Sequence, residues 1–171
     1  IPARSGSKGI LNKNIKIYKN LPLLVHSINI AKECKYINEI IVSTDSEKYK
    51  KIAEKNGAVV PYIRPIEISN DLSTDIEFLK YHINWCNKNN NNLPDLIVQL
   101  RPTYPNRNIF HLNNTIKIMI DNFKEYDSLR TVIKFDKSPF KMYRIKNNIL
   151  GPLFNKIDNI KEPYNRCRQD L

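Results

Sequence analysis

Glycine is scarce in this chain of 171 residues, with four copies at Gly6, Gly9, Gly57 and Gly151. That scarcity excludes two common phosphate-binding signatures, because neither G-x-x-x-x-G-K-[ST] nor G-x-G-x-x-G can be assembled from these positions. Cysteine is scarcer still. Cys34, Cys86 and Cys167 are odd in number and show no C-x-x-C or Cys/His metal spacing, so a reduced, cytoplasmic setting is expected rather than a disulfide framework. No apolar run approaches the length of a membrane span, and no signal peptide with its cleavage site is visible. His26, His82 and His111 stand alone and read as structural or solvated residues.

What the chain does contain is a globular balance of 41% hydrophobic and 26% charged residues, with a net charge of +11, enough to bury a real core within one domain. The positive excess suits an anionic partner, either nucleotide or nucleic acid. Its lysines, however, are spread among asparagines and isoleucines, as a base-composition bias would spread them. Aromatic residues are not interleaved with a basic stripe and no nucleic-acid motif is present, which disfavours a nucleic-acid-binding module.

Charge does concentrate in residues 1–10, IPARSGSKGI, placed directly after what reads as the end of a strand. The chain opens without Met, so residues are expected to precede it. Gly6 and Gly9 permit positive φ, which would let the amides of residues 5–8 converge on one anion. Arg4 adds a fork that can hold two phosphate oxygens, and Lys8 a movable point charge. The competing reading is a basic turn with no ligand.

Periodicity predicts alternating strands and helices. Pro22 opens a helix carrying Leu24, Ile28 and Ala31 inward. Residues 39–43 form a β-branched strand, and 43–46 supply caps for a helix that buries Tyr49, Ile52 and Ala53 and stops at Gly57. A third strand covers 58–60 and extends to Ile63. Thr74 or Asp75 caps a helix with Ile76, Leu79 and Ile83, and the asparagine-rich 87–92 is a solvated loop. Residues 95–100 read as a buried strand, Ile109, Leu112, Ile116, Met119 and Ile120 as a helix, 128–135 as a strand, and 141–145 with 149–150 as a hairpin. Strands joined by such helices imply an α/β fold with a mainly parallel sheet, whose ligands gather beyond the carboxyl ends of the strands. The loops 4–8, 64–75 and 101–105 all follow strands, so their side chains can meet over one crevice.

The ordered set I-P-A-R-S-G-S-K-G, Lys13-Asn14, I-V-S-T-D at 41–45, R-P-x-E at 64–67, L-R-P-T-x-P at 100–105 and Arg168-Gln169 resembles the acylneuraminate cytidylyltransferases, the CMP-nonulosonic acid synthetases. The match spans nearly the whole chain. The resemblance implies a three-layer α/β/α, Rossmann-like nucleotidyltransferase fold. It also implies transfer of CMP from CTP to the anomeric hydroxyl of an acidic nine-carbon sugar, with release of pyrophosphate and use of Mg²⁺. In that pattern Arg4 and Lys8, with the amides of Ser5, Gly6 and Ser7, hold the β- and γ-phosphates, and Lys13 sits near the α-phosphate. Asn14 reaches ribose or phosphate, Arg64 and the backbone near Ser73 read cytosine, and Asp75 lies beside the ribose. Arg101, Thr103, Arg168 and Gln169 face the acceptor, where two forked cations suit a carboxylate.

For Arg64 the structural alternative is a salt bridge to Glu67 or Asp71, and for Arg101 a surface position in a proline-braced loop. Thr44 and Asp45 read as helix-capping residues and stay outside the expected site. By the same resemblance, arginine at position 101, where many family members have Gln, together with Tyr143 and Arg144 points towards legionaminic-type acceptors, with pseudaminate or Kdo as alternatives, although Kdo enzymes differ in the loops after the first and fourth strands. Cys167 replaces the usual Pro before Arg168-Gln169. The chain is expected to be a single domain, 1–171, truncated at both ends, with a dimerisation extension at 136–165. No metal ligand is expected within it, the aspartates that hold Mg²⁺ falling after Leu171. A homodimer follows from the resemblance, and Phe140, Met142, Tyr143, Leu153, Phe154 and Tyr164 fit such an interface or cover their own sheet edge. No nucleic-acid or membrane partner is expected.

Overall fold

Leu24, Ile28 and Ala31 recur at helical spacing, and the chain there forms α1 (Leu23–Glu33), which Pro22 opens and which buries those three residues with Val25 and Ser27. The computed structural model describes residues 1–7, 9–132, 142–154, 156–157 and 160–161. The expected site residues Lys8, Arg168 and Gln169, and the expected interface residues Phe140 and Tyr164, lie outside them. Three further helices follow, α2 (Glu47–Lys55), α3 (Asp75–Lys88) and α4 (Ile109–Asp121).

Ser46 caps α2 by accepting from the Tyr49 amide, while Thr74 precedes α3 and donates its hydroxyl and amide to the Glu77 carboxylate. These are the short polar side chains that helix starts require. α2 ends on Gly57 at φ 81°, with the Gly57 amide on the Glu54 carbonyl and the Ala58 amide on the Ala53 carbonyl, a Schellman closure. A Cβ at Gly57 would lie 2.7 Å from the flexible Lys32 ammonium, which can swing away, so the left-handed backbone sets the cost. Gly57→Ala should therefore destabilise by about 1 kcal/mol, measurable as a shift in the urea midpoint at unchanged m-value.

Three chain segments meet side by side and run parallel. Pro2 bridges Ser43, Ile41 bridges Val59, and Thr44 bridges Ile63, so residues 41–44 lie between the other two segments. Their amides are joined by Ala3 N–H to Ser43 O, Ser43 N–H to Ile1 O and Val42 N–H to Val59 O. Against them packs the core of Ala3, Leu24, Ile28, Val42, Tyr49, Ala53, Ala58 and Val60.

The longer ladders are antiparallel hairpins: β1 (Ile17–Tyr18) with β2 (Leu21–Pro22), β3 (Tyr143–Lys146) with β4 (Ile149–Pro152), and β5 (Lys156–Ile157) with β6 (Ile160–Lys161). The first two turn on Lys19-Asn20 and Asn147-Asn148, all with positive φ, as tight hairpins demand. The β1–β2 hairpin has no counterpart among the sequence expectations.

Several expectations need correction. Residues 95–100 form no paired strand, although Leu96, Val98 and Leu100 still turn inward while Ile97 and Gln99 are exposed. Residues 128–132 also form no strand and are exposed; 133–135 fall outside the described residues. On α3 the buried positions are Phe78 and Cys86, and Ile76 points outward; on α4 Ile120 is exposed. α3 continues to Lys88, inside the expected loop. The chain divides into two compact units, Ile1–Leu129 and Arg130–Leu171. Among the described residues no helix is long and apolar enough to cross a membrane.

Candidate active site

Beyond the carboxyl ends of the parallel segments lies a cleft of about 250 Å³ within the first unit, lined by Pro2, Arg4, Ser7, Lys13, Asn14, Arg64, Ser73, Thr74, Asp75, Phe78, Arg101, Pro102 and Thr103. The three loops expected to converge thus do so. Ser5 and Gly6, expected in the same site, are not among the lining residues.

Of the described cations that line the cleft, Arg64 is the most deeply buried. Its side chain sits in a residue only 5% exposed, donating from Nε to Ser43 Oγ at 2.9 Å and from Nη2 to the Ser43 carbonyl, while the guanidinium carbon lies 4.9 Å from the Phe78 ring centre. The alternative salt bridge to Glu67 or Asp71 does not form. Burial pushes the Arg64 pKa down, opposed by the charge of Asp45. A buried charge held by hydrogen bonds and a ring face is fixed in direction before any ligand arrives.

Asp71 pairs instead with Arg4, Oδ1 to Nη2 at 2.7 Å. Arg101 pairs with Asp75, whose Oδ2 also accepts from Gln99 at 2.9 Å. Although burial alone would raise it, the Gln99 and Arg101 hydrogen bonds hold the Asp75 carboxyl below the usual carboxylate range. Lys13 begins a 3-10 turn, Lys13–Ile15, and buried Asn14 donates to the Arg4 carbonyl at 2.9 Å.

The first loop is built differently from the expected cradle. Neither Gly6 nor Gly9 adopts positive φ, and a Cβ on either would meet nothing within 4 Å. The Ser5 amide donates to Asp45 Oδ1 at 2.7 Å, its hydroxyl to Asp45 Oδ2 at 2.9 Å, and the Ser7 amide to the Ser5 carbonyl at 2.9 Å. Those donors are already committed, so the cationic side chains supply the cleft's attraction for anions. Asp45, expected only to cap a helix, is the brace of this loop.

Arg107 is a second residue that sequence reasoning missed. It donates to the carbonyls of Arg101 and Tyr104 at 2.7 Å each and to the hydroxyl of fully buried Ser27 at 3.1 Å. Its planar fork ties the 101–105 loop to α1, the kind of three-point anchoring that Lys cannot reproduce. The only available signal was an arginine close behind the proline-braced loop.

The chain is also similar to known proteins. A family model described as cytidylyltransferase matches residues 1–148. The N-acylneuraminate cytidylyltransferase of Escherichia coli O18:K1:H7 is 32% identical over 166 residues, covering 97% of this chain and 37% of that protein. The CMP-N,N'-diacetyllegionaminic acid synthase of Legionella pneumophila is 31% identical over 118 residues, 69% of this chain and 50% of the relative. The chain therefore spans between about a third and a half of these relatives' lengths. Among solved structures, CMP:2-keto-3-deoxy-manno-octonic acid synthetase complexed with CTP superposes with a TM-score of 0.58 at 20% identity, over 71% of this chain and 46% of that one, a likeness of fold.

Proposed function

The chain belongs to the cytidylyltransferase family, and from that premise we propose that it serves transfer of CMP from CTP to the anomeric hydroxyl of an acidic nonulosonate of the sialic or legionaminic type. The observation that carries this reading is the single cleft that gathers Arg4, Ser7, Lys13, Asn14, Arg64, Ser73, Asp75, Arg101 and Thr103. In the reaction the acceptor oxygen bonds to the α-phosphorus, the bond to the β-phosphate oxygen breaks, and pyrophosphate leaves. Such a transfer asks for positioning and charge neutralisation more than for covalent help.

In this reading Arg4 and Lys13, both lining the cleft, meet phosphate oxygens, with Lys13 at the α-phosphate, and Lys8 belongs with them by the family pattern. Arg64 presents fixed donors to the O2 and N3 acceptors of cytosine. Arg101 and Thr103 are assigned to the acceptor, where Arg168 and Gln169 would join them. Within this reading the fold is the three-layer α/β/α arrangement, of which the parallel bridges are the support available. The protein acts as a homodimer, a reading supported by the apolar residues Tyr143, Ile145, Ile149 and Leu150 that β3 and β4 leave exposed, and does so in the cytoplasm, in keeping with three cysteines that show no metal spacing.

Mg²⁺ belongs to the same reading and takes oxygen ligands. Among the described residues, however, no group of three His, Cys, Asp or Glu side chains could hold a metal ion. Asp75, the one carboxylate lining the cleft among the described residues, already accepts from Gln99 and Arg101. The described residues thus do not make up a metal site, and no step is routed through one.

The deciding measurement is pyrophosphate release by the complete gene product with CTP and a panel of N-acetylneuraminate, legionaminate, pseudaminate and Kdo. Turnover with the first or second is expected. Turnover restricted to Kdo or pseudaminate would move the acceptor assignment, and none at all would overturn the reading.

A further inference from the structure

Asp75 has two oxygens with different surroundings. Both of its side-chain hydrogen bonds fall on Oδ2, one from Gln99 and one from Arg101 Nη2, and Oδ1 makes none among the described residues. Arg101 is anchored by its backbone, since its carbonyl accepts from Arg107, but its side chain is 58% exposed and has no other ion pair among the described residues. A long side chain left so exposed would sample many rotamers, and ordering it on binding would weaken its hold on a ligand. The Nε and Nη1 groups of Arg101 make no hydrogen bond among the described residues. Asp75 thus takes one corner of the fork and leaves the others for a second anion.

We propose that Asp75 is a positioning residue for the acceptor: it fixes the Arg101 guanidinium so that the remaining N–H groups meet the acceptor's carboxylate. This rests on the proposed acceptor class and moves Asp75 from a ribose neighbour to the acceptor half of the cleft. The two simplest physical readings predict opposite signs. If Asp75 acts only through its charge, removing that charge attracts the acidic acceptor more strongly and lowers its KM. If Asp75 orders Arg101, the same change frees the fork and raises KM.

Asp75→Asn, Arg101→Gln and the double variant in the complete gene product separate these. The expected result is an acceptor KM raised about tenfold in Asp75→Asn, the size of one charge-assisted hydrogen bond, with the CTP KM within about twofold of the unmodified protein. The double variant should be no worse than Arg101→Gln alone, as sites acting through one another are non-additive. A lowered or unchanged acceptor KM, a rise confined to CTP, or full additivity overturns the proposal. If no acceptor is turned over, the functional reading fails and the guanidinium ¹⁵N resonances of Arg101 decide the pairing. Asp75→Asn must shift them and Asp71→Asn must not; unmoved resonances in Asp75→Asn overturn the pairing as well.

Discussion

Arg64→Ala should lower kcat/KM for CTP on the order of 100-fold and weaken discrimination against UTP, while costing about 2–4 kcal/mol of folding stability. The two effects have separate origins in one side chain. Stability falls because the guanidinium is buried against Phe78 and satisfies both the hydroxyl and the carbonyl of Ser43. Truncation leaves a void over the ring and removes a donor from a buried carbonyl. Activity falls because the donors offered to the base disappear, and with them the preference for an unprotonated N3. Arg64→Lys keeps the charge but not the fork, so it should recover part of the CTP affinity and little of the Ser43 contact. Denaturant melts and competition between CTP and UTP measure the two losses. An Arg64→Ala protein with normal CTP selectivity would remove Arg64 from the base-reading role whatever its stability.

Asp45→Ala should raise the KM for CTP about tenfold and cost about 1–3 kcal/mol, because two donors of Ser5 lose their acceptor at once. Both carboxylate oxygens are used, one on the Ser5 amide and one on its hydroxyl, so the change unties the start of the loop that carries Arg4 and Ser7. Asp45→Asn retains one acceptor and should lie between the two. Capping offers a competing explanation, yet Ser46 is the residue that caps α2. If Asp45 merely supported the helix start, the Ala variant would melt earlier with its KM for CTP unchanged. Initial rates at varied CTP distinguish the outcomes.

Local chemistry was the legible part of the chain. The four helices follow from apolar spacing, Gly57 from its place after the last periodic residue, and the hairpin from two short apolar runs, 141–145 and 149–150. The meeting of the first two loops follows from the parallel pairing they leave, and the 101–105 loop joins them although residues 95–100 form no paired strand. What escaped was set by partners distant in sequence. Nothing near Asp45 indicates that Ser5 will claim both its oxygens, nor does the surrounding segment show that Arg107 reaches back to Ser27. Gly6 and Gly9 promised left-handed turns, but the Asp45 brace shapes the loop without them. On α3, Ile76 has the better hydrophobic pattern; Phe78 is buried because Arg64 lies over it.

Ser43 gives the cleft a division of tempo. Its carbonyl accepts both the Ala3 amide of the parallel pairing and the Arg64 guanidinium, so Arg64 cannot reorient without disturbing the innermost chain segments. Arg4 hangs on the partly exposed Asp71 and exchanges partners at the nanosecond pace of surface side chains, whereas release of Arg64 waits for rarer opening of the core. On the proposed reading, the base meets a stationary group while the phosphates are caught by a moving one. Recognition of the nucleotide's identity is thereby tied to the slowest part of the molecule, and adjustment to its charge to the fastest.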